Sequence, residues 1–203
     1  MITQANAYVN SFPYDYNLGY TARMTKYAAM IRGIGPGNPN MRGDMLKSAF
    51  DSLGFSDVHP VITSGNVVFK SDITDTEKLE SMVEGVFPGL LGFSRTVFIR
   101  SQAELQALVD TDPFSGIEQG PKHYITLTFL KNQPEIIPKL PYKPANEGYE
   151  ILAVYDRVVA ATLDQTQGKT PRMMAWLERE FGKDITTRTW KTVNRLLNVL
   201  EKL

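Results

Sequence analysis

Three short polar stretches carry the most usable chemistry in the chain: Arg32-Gly33, Ser64-Gly65-Asn66, and TTRTWKT from Thr186 to Thr192. Arginine presents a planar fork of N–H donors that fits a carboxylate or a phosphate. Glycine-flanked amides, an asparagine amide and a serine hydroxyl can complete an anion or nucleotide pocket around it. The same residues have an ordinary reading. Asn and Gly serve turns, an arginine at a strand end meets a helix C-terminus, and Thr187 or Thr189 can cap the last helix. Each stretch sits at the end of a predicted strand, and element order alone does not say whether the three meet.

Other chemistries lack their parts. There is no cysteine, which removes disulfides, thiolate zinc sites and cysteine nucleophiles and leaves the cytoplasm as the default compartment. His59 and His123 are the only imidazoles, and neither has a partner at metal-ligand spacing. Asp164 to Thr170, DQTQGKT, ends like a phosphate-binding loop, but Leu163 stands where that loop needs its first glycine. Without that glycine the stretch reads as a helix N-terminus, at which Lys169 could still touch an anion. No covalent nucleophile or cofactor loop is evident, so any catalysis would rest on electrostatic stabilisation and positioning, with Asn66 and Thr192 as polar positioners.

Charge narrows the partners. The 22 Lys and Arg residues balance 22 Asp and Glu, so no net field draws in a polyanion or an anionic membrane. An RNA-recognition module would carry a basic Gly-Phe-Gly-Phe run in its central strand. Gly65-Asn66-Val67-Val68-Phe69 stands in that place, and nucleic acid is disfavoured. No apolar run reaches the roughly 18 to 20 residues of a membrane span.

Hydrophobic residues make up 42% of the 203 positions, enough for a packed core. Residues 1–25 hold five Tyr or Phe side chains without a period and read as an N-terminal extension that could serve a partner or a second copy. Residues 26–116 then read as strand 26–31, helix 41–53 capped by Asn38 or Asn40, hairpin strands 58–63 and 67–70, helix from the Thr74/Glu77 capping box, strand 95–100, and helix from the Ser101/Glu104 box. Residues 117–203 repeat the order: strand 123–130, a short helix near 134–140, hairpin strands 149–155 and 158–163, a helix opened by Thr170-Pro171, strand 185–188, and a terminal helix with Trp190, Val193, Leu196, Leu197 and Leu200 on one stripe. The fold class predicted is α+β, with two ferredoxin-like (split β-α-β) halves in tandem.

At the polar stretches the chain resembles the bacterial domain of unknown function 1697 family (DUF1697). RGIGPGN is similar to that family's Arg-Gly-Ile-Asn-Val-Gly-Gly, ITSGNVVF to its Ser-Gly-Asn run, and TTRTWKTV to its Thr-Ala-Arg-Asn-Trp-Asn-Thr-Val. The resemblance implies a two-part α+β architecture with ferredoxin-like halves and brings no established activity, substrate or cofactor. It marks Arg32, Gly33, Ser64, Gly65, Asn66, Arg188, Trp190 and Thr192 as the candidate ligand-binding residues. Gly35-Pro36 replaces Asn-Val, and Thr189 and Lys191 replace two asparagines, so a pocket built from asparagine amides would be altered here. The leading expectation is a cytoplasmic protein that binds a small anionic or nucleotide-like ligand, without metal or cofactor. The alternatives are a protein-interaction module that assembles through its N-terminal segment and an RNA-binding module.

Overall fold

The computed structural model describes residues 24–33, 42–62, 65–117, 120, 123–164, 166 and 170–203. Along the chain run β1 (Thr25–Ile31), α1 (Gly43–Asp51), β2 (Ser56–Pro60), β3 (Asn66–Ser71), α2 (Thr76–Leu91), β4 (Val97–Ser101) and α3 (Gln102–Asp110). They are followed by β5 (His123–Leu130), β6 (Tyr149–Tyr155), β7 (Val158–Asp164), α4 (Thr170–Phe181), β8 (Ile185–Thr189) and α5 (Trp190–Leu200). No helix among the described residues is long and apolar enough to cross a membrane.

The strands form two four-stranded antiparallel sheets, in the orders β2-β3-β1-β4 and β6-β7-β5-β8. Advancing each label of the first sheet by four gives the second, so the repeat read from element order is a repeat of topology. The fold is α+β, with two ferredoxin-like halves in tandem. The central strands explain their own sequences. β1 buries Tyr27, Ala29 and Ile31 on one face and Ala28 and Met30 on the other. A strand covered on both faces has no solvent side to mark with polar residues, and YAAMI is unbroken.

Three apolar clusters follow from this arrangement. On the outer face of the first sheet, Leu46 and Phe50 of α1 and Leu79, Val83 and Phe87 of α2 pack on Phe69, Val97 and Ile99. On the outer face of the second, Met173, Trp176 and Leu177 of α4 pack on Ile151, Val159 and Leu163. Between the sheets lies a shared cluster, where Leu105 and Leu108 of α3 and Val193, Leu196, Leu197 and Leu200 of α5 meet Met30, Val68, Phe98, Leu127 and Phe129. α5 belongs in sequence to the second half, yet it rests on β1 and β3 as well as on β5 and β8.

The structure corrects several local expectations. The helix expected near 134–140 does not form. Pro134, Pro138, Pro141 and Pro144 withdraw N–H donors along the segment, which instead crosses as irregular chain. Tyr142 of that segment bridges to Ile151 and stacks on Trp176 at 4.8 Å, doing there the covering that α1 does in the first half. α1 begins after Arg42, which makes no side-chain cap; Asn38 and Asn40 lie outside the described residues. α2 is capped by Asp75, which accepts from the N–H groups of Glu77 and Lys78, and not by Thr74.

The second capping box does form. Ser101 Oγ accepts from Glu104 N at 3.1 Å, and Glu104 Oε2 accepts from Ser101 N at 2.7 Å. Ser101→Ala is expected to cost about 1 kcal/mol of stability, read as a lower urea midpoint at unchanged slope.

Candidate functional site

The C-terminal end of β1 is where two of the polar stretches are tied to the first sheet. Ile31 N donates to Gly65 O at 2.8 Å and Arg32 N donates to Thr96 O at 2.9 Å. Gly65 (φ +68°) turns the chain into β3, and Gly33 (φ +67°) turns it away from β1; both are left-handed positions that suit glycine. Asn66 is not part of the loop. It is the first residue of β3, fully buried and paired in register with Met30, and its Nδ2 donates to Val61 O at 3.4 Å.

Arg188 of β8 brings the third stretch to the other two. Its Nε donates to Asn66 Oδ1 at 2.7 Å and its Nη2 to Ile31 O at 2.8 Å. Its Nη1 donates to Thr186 Oγ1 at 2.8 Å and to Thr187 O at 2.9 Å. Every acceptor is neutral, and among the described residues no carboxylate pairs with this guanidinium. Arg188 retains some exposed surface, but packing around its head is dense enough that burial lowers its pKa to about 10. It remains a cation at neutral pH.

Beside this fastener opens a cleft of about 580 Å3, lined by Arg32, Gly33, Arg95, Thr96, Thr186 and Thr187 among others. Arg32 Nη2 meets Glu178 Oε1 of α4 at 2.9 Å, a pair with more than a third of each side chain exposed. Arg95 donates from Nη1 to Ser94 O at 2.8 Å, lies 5.4 Å over the Phe93 ring, and has no carboxylate partner among the described residues. Thr96 Oγ1 donates to Asp184 Oδ1 at 3.4 Å, a link from the first half to the second beside the cleft. Three guanidiniums therefore stand at or behind the cleft against two carboxylates.

The remaining predicted residues lie elsewhere. Trp190 packs edge-on to Phe114 at 5.2 Å, beside the central cluster. Thr192 serves the start of α5: its N–H donates to Thr189 Oγ1 at 3.2 Å, and the two hydroxyls are 2.9 Å apart. Neither lines the cleft. Ser64, Lys169 and residues 1–23 lie outside the described residues. Among the described residues no group of His, Asp or Glu is arranged to hold a metal ion.

Sequence reasoning passed over Arg95 and Glu178. Arg95 falls at the start of the strand expected over 95–100 but stands just before β4, and Glu178 lies on α4 with no motif around it. Only the approach of α4 to the end of β1 makes the two relevant.

No curated protein matches the chain. Among solved structures, a conserved bacterial protein from Streptococcus pneumoniae superposes with a TM-score of 0.62 at 18% identity, over 88% of this chain and 99% of that one. That likeness concerns the fold. The family described as "Protein of unknown function (DUF1697)" matches residues 24–159, a stretch that holds the first sheet, Arg32, Gly65, Asn66 and Arg95, and the chain belongs to that family.

Proposed function

We propose that this protein binds a small anion, a phosphorylated or carboxylated metabolite or a nucleotide, in the cleft at the end of β1. One observation carries the reading: Arg32 and Arg95 line a single cleft, and Arg95 has no carboxylate of its own among the described residues. Two guanidinium forks can grip phosphate or carboxylate oxygens in parallel pairs of bonds. Arg188 contributes as a fixed charge behind Thr186, whose hydroxyl it orients. Glu178 holds Arg32 in place when the cleft is empty and yields it to a stronger acceptor. Such a pair, largely in water, is worth at most about 1 kcal/mol and is readily exchanged.

The test is a thermal-shift and titration series with inorganic phosphate, sugar phosphates, nucleotides and dicarboxylates. A ligand at 100 times its dissociation constant is expected to stabilise the protein by about 2.7 kcal/mol. Arg32→Ala and Arg95→Ala should each remove most of that gain, and Glu178→Gln should increase affinity by freeing Arg32. A response that survives both arginine substitutions, or no response to any compound of the series, would rule the reading out.

A further inference from the structure

Given the anion-binding role proposed for the cleft at the end of β1, on which this inference rests, we propose that the cleft selects a terminal phosphate group over a carboxylate, and that the Thr186 hydroxyl is the donor that makes the distinction. Three threonines line the cleft, Thr96, Thr186 and Thr187. Two of them have their protons engaged. Thr96 Oγ1 donates to Asp184 Oδ1 at 3.4 Å, and Thr187 Oγ1 donates to Met174 Sδ at 3.4 Å and lies 2.8 Å from Thr128 Oγ1.

Thr186 differs. Arg188 Nη1 donates to its Oγ1 at 2.8 Å, and because a guanidinium has no acceptor, the Thr186 proton takes no part in that bond. Among the described residues no other group accepts this proton. Thr186 is only 4% exposed, and a buried O–H without an acceptor is a standing cost that a ligand oxygen removes. The bond from Arg188 also polarises the hydroxyl and strengthens it as a donor. Since every acceptor around Arg188 is neutral, a negatively charged oxygen on Thr186 would be the first anionic group to answer that buried cation.

The number of oxygens then decides the class of ligand. A carboxylate has two oxygens in one plane, and the guanidinium forks of Arg32 and Arg95 can occupy both. A terminal phosphate has three unesterified oxygens splayed about phosphorus, which leaves one for a donor approaching from β8. An internal phosphodiester keeps only two and is bound as the carboxylate is. The favoured ligand therefore carries a phosphomonoester, and the sugar phosphates and nucleotides of the series above tell which molecule bears it.

Amide-resolved NMR titrations of the full chain with methyl phosphate, methyl sulfate, dimethyl phosphate and acetate separate oxygen number from charge. Methyl sulfate has three free oxygens and one charge, whereas dimethyl phosphate and acetate have two oxygens and the same charge. Methyl phosphate is expected to bind most tightly, with saturable shifts at Gly33, Thr96 and Thr187. Thr186→Val removes the hydroxyl at nearly constant volume, and Arg188 Nη1 keeps Thr187 O as an acceptor. This variant should bind methyl phosphate and methyl sulfate about tenfold more weakly, the worth of one hydrogen bond to an anion, with acetate and dimethyl phosphate unchanged. Thr186→Ser should restore the loss, and Thr186→Ala replaces the valine variant if that does not fold. Acetate or dimethyl phosphate binding as tightly as methyl phosphate, or a valine variant that weakens all four probes alike or none, would overturn the selection by Thr186 while leaving the anion-binding role intact. No binding by any probe, or binding that survives both Arg32→Ala and Arg95→Ala, would overturn both.

Discussion

Arg188→Ala is expected to unfold at a markedly lower urea concentration than the wild type, with a loss of about 3–5 kcal/mol. The side chain makes four hydrogen bonds, two of them to the first sheet from the second. Truncation withdraws the donor from Ile31 O and Thr187 O and the donor that Arg188 gives Asn66 Oδ1, and an abandoned buried acceptor costs about 1–3 kcal/mol. Part of this is offset, because the cost of burying the guanidinium charge, visible in its pKa of about 10, vanishes with the charge. Arg188→Lys should recover little. A single ammonium cannot reach Asn66, Ile31 and Thr186 together from one stem. A stability within 1 kcal/mol of the wild type for the alanine variant would show that the halves are held by apolar packing alone.

Glu80→Ala should be comparably damaging for a different reason. Glu80 is fully buried on α2; its Oε1 accepts from Ile99 N at 2.8 Å and faces Arg100 at 3.6 Å, and its Oε2 lies 2.8 Å from Lys131 Nζ. The Lys131 contact has ion-pair distance but is off the line of a hydrogen bond, so it acts as charge compensation more than as a directed bond. Lys131 is shared with Glu84 Oε1 at 2.7 Å and also donates to Val97 O at 3.0 Å. Removing Glu80 strands a buried guanidinium, and breaking one side of a buried ion pair typically costs about 3–5 kcal/mol. The combined replacement Glu80→Met with Arg100→Met should restore much of the loss, since apolar residues of similar volume often match a buried pair. Urea unfolding of the two single variants and the double variant gives the coupling directly, and strict additivity would contradict the pairing.

The strands of the second half were the most legible part of the fold. His123 to Leu130, Tyr149 to Tyr155 and the Asp156-Arg157 turn come out as read, because β-branched and aromatic runs bounded by a two-residue turn admit few other structures. The short helix expected near 134–140 is absent because the prolines there withdraw N–H donors, and Ile136 and Ile137, with no helix to turn them toward a core, are exposed. Asn66 was misread for a related reason. Next to glycine it looks like a turn residue, and what draws it into the strand is a partner 122 residues away. The polar stretches were visible as stretches, but the division of labour between them was not. Arg32 faces a cleft whereas Arg188 spends its donors on the protein, and that distinction depends on how the second sheet is set against the first.

The placement of α5 also governs how the chain can be made. Its apolar stripe, Val193, Leu196, Leu197 and Leu200, fills the space under β1 and β3, so the inner face of the first sheet is not fully covered until α5 is available. On a ribosome adding about 5–20 residues per second, the 99 residues from Gln102 through Leu200 (200 − 101) correspond to roughly 5 to 20 seconds. During that interval Ala28, Met30, Val68 and Phe98 form an apolar surface without its final partner, an exposure that a nascent-chain chaperone would find and that the docking of α5 would end.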